Sequence, residues 1–513
     1  MLELKPNRAL VTCFIAAALV ATQSSRADDD FAPVKQRISK ALHDSNVPSI
    51  SVAVARDGKI VWEEGFGWAD RENRVQASEH TLYSVASVSK PITATGLMVL
   101  VERKKIDLDK PINDYLPSAK LVARVGDATA ATVRRVANHS SGLPLHYQFF
   151  YADQAYHPPS REETIRRYGN LITAPGERWQ YSNLGYGVLD HVIERVSEKK
   201  FADFMREEVF LPLGMTHTSI DVGAGLEAHQ AIRYTPEGER IPFYEFDHPG
   251  ASAAYASAHD LARFAMFHMK SHLEDQRAIL SDATIDEMQK PTATTNNNSG
   301  YGVGWGTNET RRGYLTVEHS GGMPGVATLC SFVPAEHVAV VVLSNTGTPL
   351  VSYLSDMIYK TLLPEAKQRS SDNKPKTEAK AFSKFTPESR LVGSWKGKLV
   401  TYKQEFPIVL SIREDGDVHL KLADQLETLL SAPTFQDGFL RGRFVGDIAH
   451  EDARGNRYQI GLELKLREED GRAVLNGGAT AFAVHEGRGS SAVTHWVELD
   501  RETKNSSTAA AGN

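Results

Sequence analysis

SVASVSKPITATGLMVLVERKKIDLDKPINDYLP, residues Ser84 to Pro117, is the stretch on which the reading of this chain turns. From about Ser87 to Glu102 it places Leu97, Leu100 and Val101 at helical spacing, which predicts a helix with one apolar face. Pro91 lacks the N–H that an interior helical residue donates, so it fits only if the helix starts close to Ser87. Ser87 and Lys90 then lie one turn apart and point the same way. A serine hydroxyl is a weak nucleophile until a base removes its proton. An amine serves as that base when crowding or neighbouring positive charge lowers its pKa from about 10.4. In the first turn the Ser87 N–H is also an unpaired donor, able to face negative charge growing on a substrate oxygen. Alone, S-x-x-K is weak: chance supplies it in a chain this long, and a surface serine at a helix start satisfies it equally well.

Two further segments carry polar groups suited to the same chemistry. Tyr181-Ser-Asn183 follows the turn-rich Ala174-Pro-Gly-Glu-Arg-Trp179 and precedes a helix expected from Gly185 to Val196. A tyrosine and an asparagine two apart in extended chain face one side. A phenolate beside Lys90 could accept the serine proton, and the Asn183 amide could donate to a substrate carbonyl while accepting from the lysine. An aromatic packed at a helix entrance is the plainer alternative. His319-Ser-Gly-Gly322 lies just ahead of a strand through Val326. Its glycines let a substrate backbone approach closely, and the Gly322 N–H could be a second oxyanion donor. By itself His319 could equally be a satisfied surface or core histidine.

Order and context join the three. Ser84 to Pro117 resembles the serine β-lactamase and penicillin-binding-protein superfamily, and within it the branch of class C β-lactamases, D,D-carboxypeptidases, D-aminopeptidases and related esterases. NHSSGLP (Asn138 to Pro144), APGERWQYSNLGYGVLDHVIE (Ala174 to Glu194), LPLGM (Leu211 to Met215), YASAHDLARF (Tyr255 to Phe264), YGVGW (Tyr301 to Trp305) and HSGGMPG (His319 to Gly325) extend the resemblance in the family's order. Together they cover nearly all of residues 35 to 360. The resemblance implies that Ser87 is acylated with Lys90 as its partner base, and that Tyr181 and Asn183 form the Y-x-N element, the tyrosine shuttling protons. The third element, usually K-T-G, is here H-S-G, with His319 first and Gly321 last. A lysine there attracts the carboxylate of penicillins or of a peptide C-terminus, whereas histidine is mostly neutral near pH 7. The change favours a peptidase or esterase whose leaving group need not be anionic.

The implied reaction is acyl transfer to water from a D-amino-acid peptide or a small ester, with the oxyanion held by the N–H groups of Ser87 and Gly322. The other readings are a β-lactamase or D,D-carboxypeptidase, and a binding or regulatory protein that recognises penicillin-like ligands without turnover. No cofactor or metal is expected. The 18 histidines raise a metal hydrolase, but His139, His146, His217, His248, His259 and His268 are scattered without H-E-x-x-H or H-x-x-E-H spacing. Asp247-His248 and His259-Asp260 read as surface or capping pairs.

The surrounding sequence predicts an α+β fold. Ile50 to Ala55 and Lys59 to Trp62 form a hairpin across Asp57-Gly58, a pair that tolerates positive φ. Val326 to Val333 and Val338 to Leu343 are strands, the second so continuously apolar that it belongs in a sheet centre. Further helices are expected at Arg161 to Tyr168 and at Ala258 to Met269, the latter opened by Ser257 and Asp260 as a capping box. Strands from both ends around a helical middle give an antiparallel sheet with helices on both faces plus a helical subdomain. A cluster at Tyr147, Phe149, Phe150 and Tyr151 is either an aromatic wall beside the serine or loop packing.

Chain length supports more than one core: 513 residues exceed what a single core usually organises. Glu365 to Lys380, EAKQRSSDNKPKTEAK, has no large apolar side chain and reads as a solvated linker. Beyond it, Ile408, Leu410 and Ile412, then Val418, Leu420 and Leu422, alternate with polar residues across Asp415-Gly416. The same pattern runs through Tyr458, Ile460, Leu462, Leu464 and Leu466 to Asp470-Gly471. Period two between such turns predicts a small antiparallel barrel or curled sheet. The expected organisation is a leader at 1–27, a catalytic domain at 28–364, a linker at 365–384, a β domain at 385–502 and a tail at 503–513.

Lys5 and Arg8 precede the apolar run Ala9 to Ala21, and Ser25-Arg26-Ala27 offers a cleavage point, so the first 27 residues read as a secretory signal and the protein as secreted or periplasmic. That run is too short to cross about 30 Å of hydrocarbon, and no integral span is expected in the mature chain. Mature protein keeps Cys330 alone and so no disulfide. With 58 basic against 64 acidic side chains there is no cationic excess for nucleic acid. The expected partner is a small-molecule or short-peptide substrate, and the sequence is silent on oligomeric state.

Overall fold

The computed structural model describes residues 30–223, 225–296, 299–309, 313–363, 384–448, 458–485 and 488–502. The leader at 1–27, the tail at 503–513 and, apart from Lys384, the linker at 365–384 lie outside them. Helix α1 (Ala32–Asp44) leads into the hairpin of β1 (Ser49–Arg56) and β2 (Lys59–Asp70). Helix α2 (Ser89–Glu102), strand β3 (Tyr147–Tyr151) and helix α3 (Asn183–Ser197) follow. Next come β4 (Tyr244–Phe246) and α4 (Ala258–His268). Strands β5 (Leu315–Met323), β6 (Val326–Val333) and β7 (Val338–Ser344) precede α5 (Leu350–Leu362).

The turn between β1 and β2 has Asp57 at φ 51° and Gly58 at φ 74°, the two positive values a two-residue hairpin needs. β7 pairs antiparallel with β1 from Ile50↔Ser344 to Arg56↔Val338, so strands nearly 300 residues apart in sequence meet inside the sheet. The main sheet runs Ala293–Asn296, Ser299–Tyr301, Gly306–Glu309, β5, β6, β7, β1, β2 and Val75–Gln76. Side-chain alternation explains the unbroken apolar sequence of β7. Val338, Val340 and Val342 join Ile50, Val52 and Val54 under α1 and α5. Ala339, Val341 and Leu343 join Ala53 and Ala55 with Leu261, Phe264 and Ala265 of α4 on the other face. Both faces are covered, as the α+β reading requires.

Helix α2 departs from expectation. It begins at Ser89 after a 3₁₀ turn, Ala86–Val88, and is buried on every side from Ser89 to Leu100. An all-round buried helix has no single apolar face to read. Its polar side chains bond inside: Thr93 Oγ1 donates to Gly250 O at 2.7 Å and Thr95 Oγ1 to Pro91 O at 2.8 Å. Helix α3 also starts earlier than expected, at Asn183, because Ser182 Oγ caps Gly185 N. Ser257 caps α4 through Asp260 N, but the Asp260 carboxylate turns away to accept from His217 N and Thr218 Oγ1, so the capping box is only half made.

The C-terminal strands β8 (Gly393–Val400), β9 (Arg472–His485) and β10 (Arg488–Arg501) belong to a nearly closed antiparallel sheet. Its ends, Thr428–Leu429 and Ser431–Gln436, are adjacent in sequence. The alternating Ile408, Leu410, Ile412, Val418, Leu420, Leu422, Ile460, Leu462 and Leu464 are all buried inside it. The barrel is stitched to the rest of the chain. β10 pairs β3 at Ser491↔Gln148 and Ala492↔Tyr147, and β3 pairs β4 on its other edge. Phe149, Phe150 and Tyr151 are thereby buried in a strand, so these three are packing, while Tyr147 is half-buried and stacks on Phe149. No helix among the described residues is long and apolar enough to cross a membrane.

Ion pairs close the seam just before Tyr181. Arg178 Nη1 donates to Glu463 at 3.0 Å, and Glu177 accepts from Arg467 at 2.8 Å and from Lys465. Burial pushes the Glu177 carboxyl up, but Lys465 and Arg467 outweigh it and hold the pKa at about 2. The stabilisation is therefore complete above pH 4.5 and fades as the pH falls toward 2. Glu177→Gln leaves two cations facing each other and should cost about 2 kcal/mol. Thermal unfolding at pH 7 should show a lower Tm for the variant, and the gap should narrow as the pH approaches 2.

Candidate active site

The site is assembled around Lys90. Its side chain is fully buried in the first turn of α2, and Nζ meets three neutral oxygens: Asn183 Oδ1 at 2.8 Å, Ser87 Oγ at 3.1 Å and Ala251 O at 3.2 Å. Burial drives the amine's pKa well below its ordinary value. A neutral amine has two N–H donors and one lone pair. The two carbonyl oxygens accept the donors, leaving the lone pair to the one neighbour that has a proton to give, the Ser87 hydroxyl.

Ser87 stands half-exposed at the end of that line. The residue before it, Ala86, has φ 48°, a left-handed conformation that costs a side-chain-bearing residue about 1 kcal/mol. The turn persists because β5 presses on it. A Cβ on Gly321 would lie 2.3 Å from both Val85 O and Thr328 Oγ1, so only glycine lets the strand come this near. Thr328 Oγ1 donates to Val85 O at 2.9 Å and holds the turn from β6. Gly322 is exposed, with open space where a Cβ would sit. β5 pairs with Gly306–Glu309 through residues 315–318, so among the described residues the same edge from His319 onward has no strand beside it.

Tyr181 lies across Lys90, whose Nζ is 4.7 Å from the ring centroid, and its phenol hydrogen-bonds Ser87. Burial raises the phenol's pKa, and the Ser87 bond offsets this only in part. Tyr181 is thus a protonated phenol at neutral pH, and the phenolate base considered from sequence gives way to the Lys90 amine.

His319 is buried in β5. Its Nδ1 lies 2.7 Å from Ser320 O and its Nε2 2.9 Å from Tyr301 OH. Nδ1 therefore carries the proton and Nε2 accepts from the phenol. Burial pushes its pKa down to about 3. It is a neutral, fully engaged side chain rather than a cation offered to a ligand.

The structure thus brings Ser87, Lys90, Tyr181 and Asn183 together, with Gly321 against the nucleophile's turn, Gly322 open beside it and His319 one layer back. It adds groups that the sequence did not single out. The Ala251 carbonyl comes from a four-residue helix, Pro249–Ser252, that has no motif. His139, within NHSSGLP, has φ 63° and packs its ring 4.5 Å from Tyr181 and 4.8 Å from Tyr301, its Nδ1 accepting from Ser182 N at 3.2 Å. Asp247-His248 is fully buried, which corrects the surface-pair reading.

A family model described as Beta-lactamase matches residues 34–362. Among curated proteins, the unguisins hydrolase ungD' of Aspergillus campestris (strain IBT 28561) is 30% identical over 355 residues, 64% of this chain and 65% of the relative. Protein flp of Staphylococcus aureus (strain MRSA252) is 25% identical over 325 residues, 62% of this chain and 63% of the relative. The chain thus spans a little under two thirds of the length of these relatives. Among solved structures, an octameric penicillin-binding protein homologue from Pyrococcus abyssi superposes with a TM-score of 0.56 at 22% identity, covering 91% of this chain and all of that one. A class C beta-lactamase superposes with a TM-score of 0.56 at 20% identity, covering 66% and 96%. Both show the fold, and the first extends the likeness into the C-terminal barrel.

Two expected outcomes follow from the geometry. Gly321→Ala should reduce kcat on any substrate of Ser87 by about 10²-fold, since the added carbon displaces the Ser87 turn, while far-UV circular dichroism stays unchanged. The rate should also depend on neutral Lys90, falling as the pH drops through its lowered pKa. A kcat/KM profile whose acid limb lies far below the ordinary lysine range, together with a loss of about 10³-fold in Lys90→Arg, would agree. An acid limb near pH 10.5 would contradict the neutral amine.

Proposed function

This chain belongs to the Beta-lactamase family, and from that premise we propose that it is a serine hydrolase cleaving an ester or amide, a D-amino-acid peptide or a small ester, through an acyl-enzyme on Ser87. The observation that carries the reading is the buried Lys90 amine 3.1 Å from the Ser87 hydroxyl, its pKa lowered by burial. Ser87 Oγ attacks the carbonyl carbon as its proton passes to Lys90 Nζ. The new C–O bond turns the carbonyl oxygen into an oxyanion, held by the N–H groups of Ser87 and Gly322. Tyr181, hydrogen-bonded to Ser87 and lying over the amine, relays the proton from Lys90 to the leaving oxygen or nitrogen as the scissile bond breaks. Water then attacks the acyl carbon, gives its proton back along the same path, and Ser87 is restored as the acid departs.

Neutral His319 supports the preference for substrates without a carboxylate at that end. A hydrogen-bonded imidazole with a pKa near 3 offers no fixed cation where the family usually has lysine. The name of the Aspergillus relative, a hydrolase of unguisins, is in keeping with turnover rather than simple binding. A rate comparison across a short-chain ester, a D-alanyl dipeptide, an N-terminal D-amino-acid amide and a cephalosporin tests the assignment. The ester and the D-amino-acid amide should be turned over fastest and the cephalosporin slowest. Ser87→Ala should lose about 10⁴-fold or more. Full ester turnover by Ser87→Ala would remove the mechanism, and a stable Ser87 adduct without repeated turnover would leave a binding protein in its place.

A further inference from the structure

Four buried side chains that the reaction above does not use meet beside the Lys90 pocket. Asp247 accepts from His146 Nε2 at 2.7 Å, from His248 Nδ1 at 2.6 Å and from Gln148 Nε2 at 3.0 Å. None of the four is more than 2% exposed. A carboxylate buried this deeply costs several kcal/mol unless its lone pairs are met, and here three N–H groups meet them. The contacts are those of hydrogen bonds and not of a metal centre: ligands at about 2.0–2.2 Å from a tetrahedral ion stand about 3.3 Å apart.

His146 connects this cluster to the site. Its backbone carbonyl accepts from Asn183 Nδ2 at 2.9 Å, and that bond decides which way round the Asn183 amide sits. With Nδ2 on His146, Oδ1 must face Lys90, as it does at 2.8 Å. A reversed amide would aim N–H groups at the amine. Lys90 would then have to turn its lone pair toward Asn183 and away from Ser87. The next residues hold His146 in place from the other side. Leu145 O accepts from Thr494 Oγ1 of the barrel at 2.8 Å, and Gln148 lies opposite Ser491 where β3 pairs β10.

We propose that Asp247, acting through His146, is a positioning residue that keeps the Asn183 oxygen on Lys90, and that barrel strand β10 completes the clamp. The inference rests on the hydrolase reading and adds to it a reason for the barrel to be docked where it is. Asp247 touches neither substrate nor nucleophile, so its loss should appear in kcat and not in KM.

The test is turnover per active site in the full chain, with sites counted by a covalent serine-directed phosphonate. In Asp247→Asn, kcat per titrated site should fall about tenfold or more with KM within about twofold. Thr494→Val keeps the side chain's shape and removes only the donor to Leu145 O; its per-site kcat should fall about threefold. A merely structural role would lower the number of titratable sites and leave the per-site rate alone. An unchanged per-site kcat in Asp247→Asn overturns the role of Asp247. The same result in Thr494→Val overturns that of the barrel, and decides the matter alone should Asp247→Asn not fold. Turnover surviving in Ser87→Ala would sink the hydrolase reading itself. An inactive Ser87→Ala beside unaltered rates in both other variants would sink only this inference.

Discussion

An ammonium cannot take a proton, so the proposed chemistry depends on keeping Lys90 dry. The fold does this by enclosing the whole of the first three turns of α2 rather than one stripe of it. Small residues make the enclosure possible. A Cβ on Gly304 would lie 2.5 Å from Ala94 Cβ, and one on Gly96 would lie 2.5 Å from Met205 Sδ, so neighbouring segments close on the helix at distances that larger side chains would forbid. Burying an amine without a carboxylate opposes folding. The large apolar cluster on both sides of the sheet is what the chain sets against that cost. Stability and reactivity are coupled at this point: water admitted beside Lys90 would relieve the strain on folding and restore the charge that stops the reaction.

The same economy shapes the third element. A histidine in place of lysine could in principle have been cationic, and partners decide that it is not. Its Nδ1–H is spent on Ser320 O and its Nε2 on Tyr301 OH, while burial also disfavours the cation. Tyr301 in turn packs against His139, and His139 against Tyr181. The wall beside the nucleophile is therefore a run of neutral rings. Burial holds both histidines of that wall, His139 and His319, in the neutral form at neutral pH.

Much of this was legible in the sequence where one residue's neighbours are near in the chain or follow a strict period. The Asp57-Gly58 hairpin, the central strand Val338–Ser344 and the barrel's alternation depend on local turn chemistry and on period two, and they appear in the structure near their expected limits, except that the hairpin's second strand runs past Trp62 to Asp70. Ser87 and Lys90 needed only one helical turn. What escaped depends on contacts that no local pattern encodes. The burial of α2 is set by Gly304 and Met205, more than 100 residues away. Asp247 looks like a surface acid because its partners, His146 and Gln148, lie about a hundred positions earlier. The Asn183 amide's orientation is decided by a backbone carbonyl, which every residue has and which leaves no mark on the sequence. Ala86 is similar: nothing in an alanine announces φ 48°, and only the press of Gly321 and Thr328 on Val85 makes that conformation the best available.

The seam with the barrel follows from the same reasoning about edges. Strand β3 has two, and one is taken by β4. The other, left bare, would expose backbone donors and acceptors beside the segment that carries His146. β10 covers that edge at Gln148 and Tyr147, Tyr151 OH donates to Gly489 O at 2.7 Å, and Glu177 and Arg178 find counter-ions on the barrel. These contacts flank the site at two places: the approach to Tyr181 through Glu177 and Arg178, and the approach to Asn183 through Leu145 and His146. A barrel placed anywhere else could satisfy its own core equally well. Placed here, its contacts reach the two segments whose side chains, Tyr181 and Asn183, bracket the Lys90 amine.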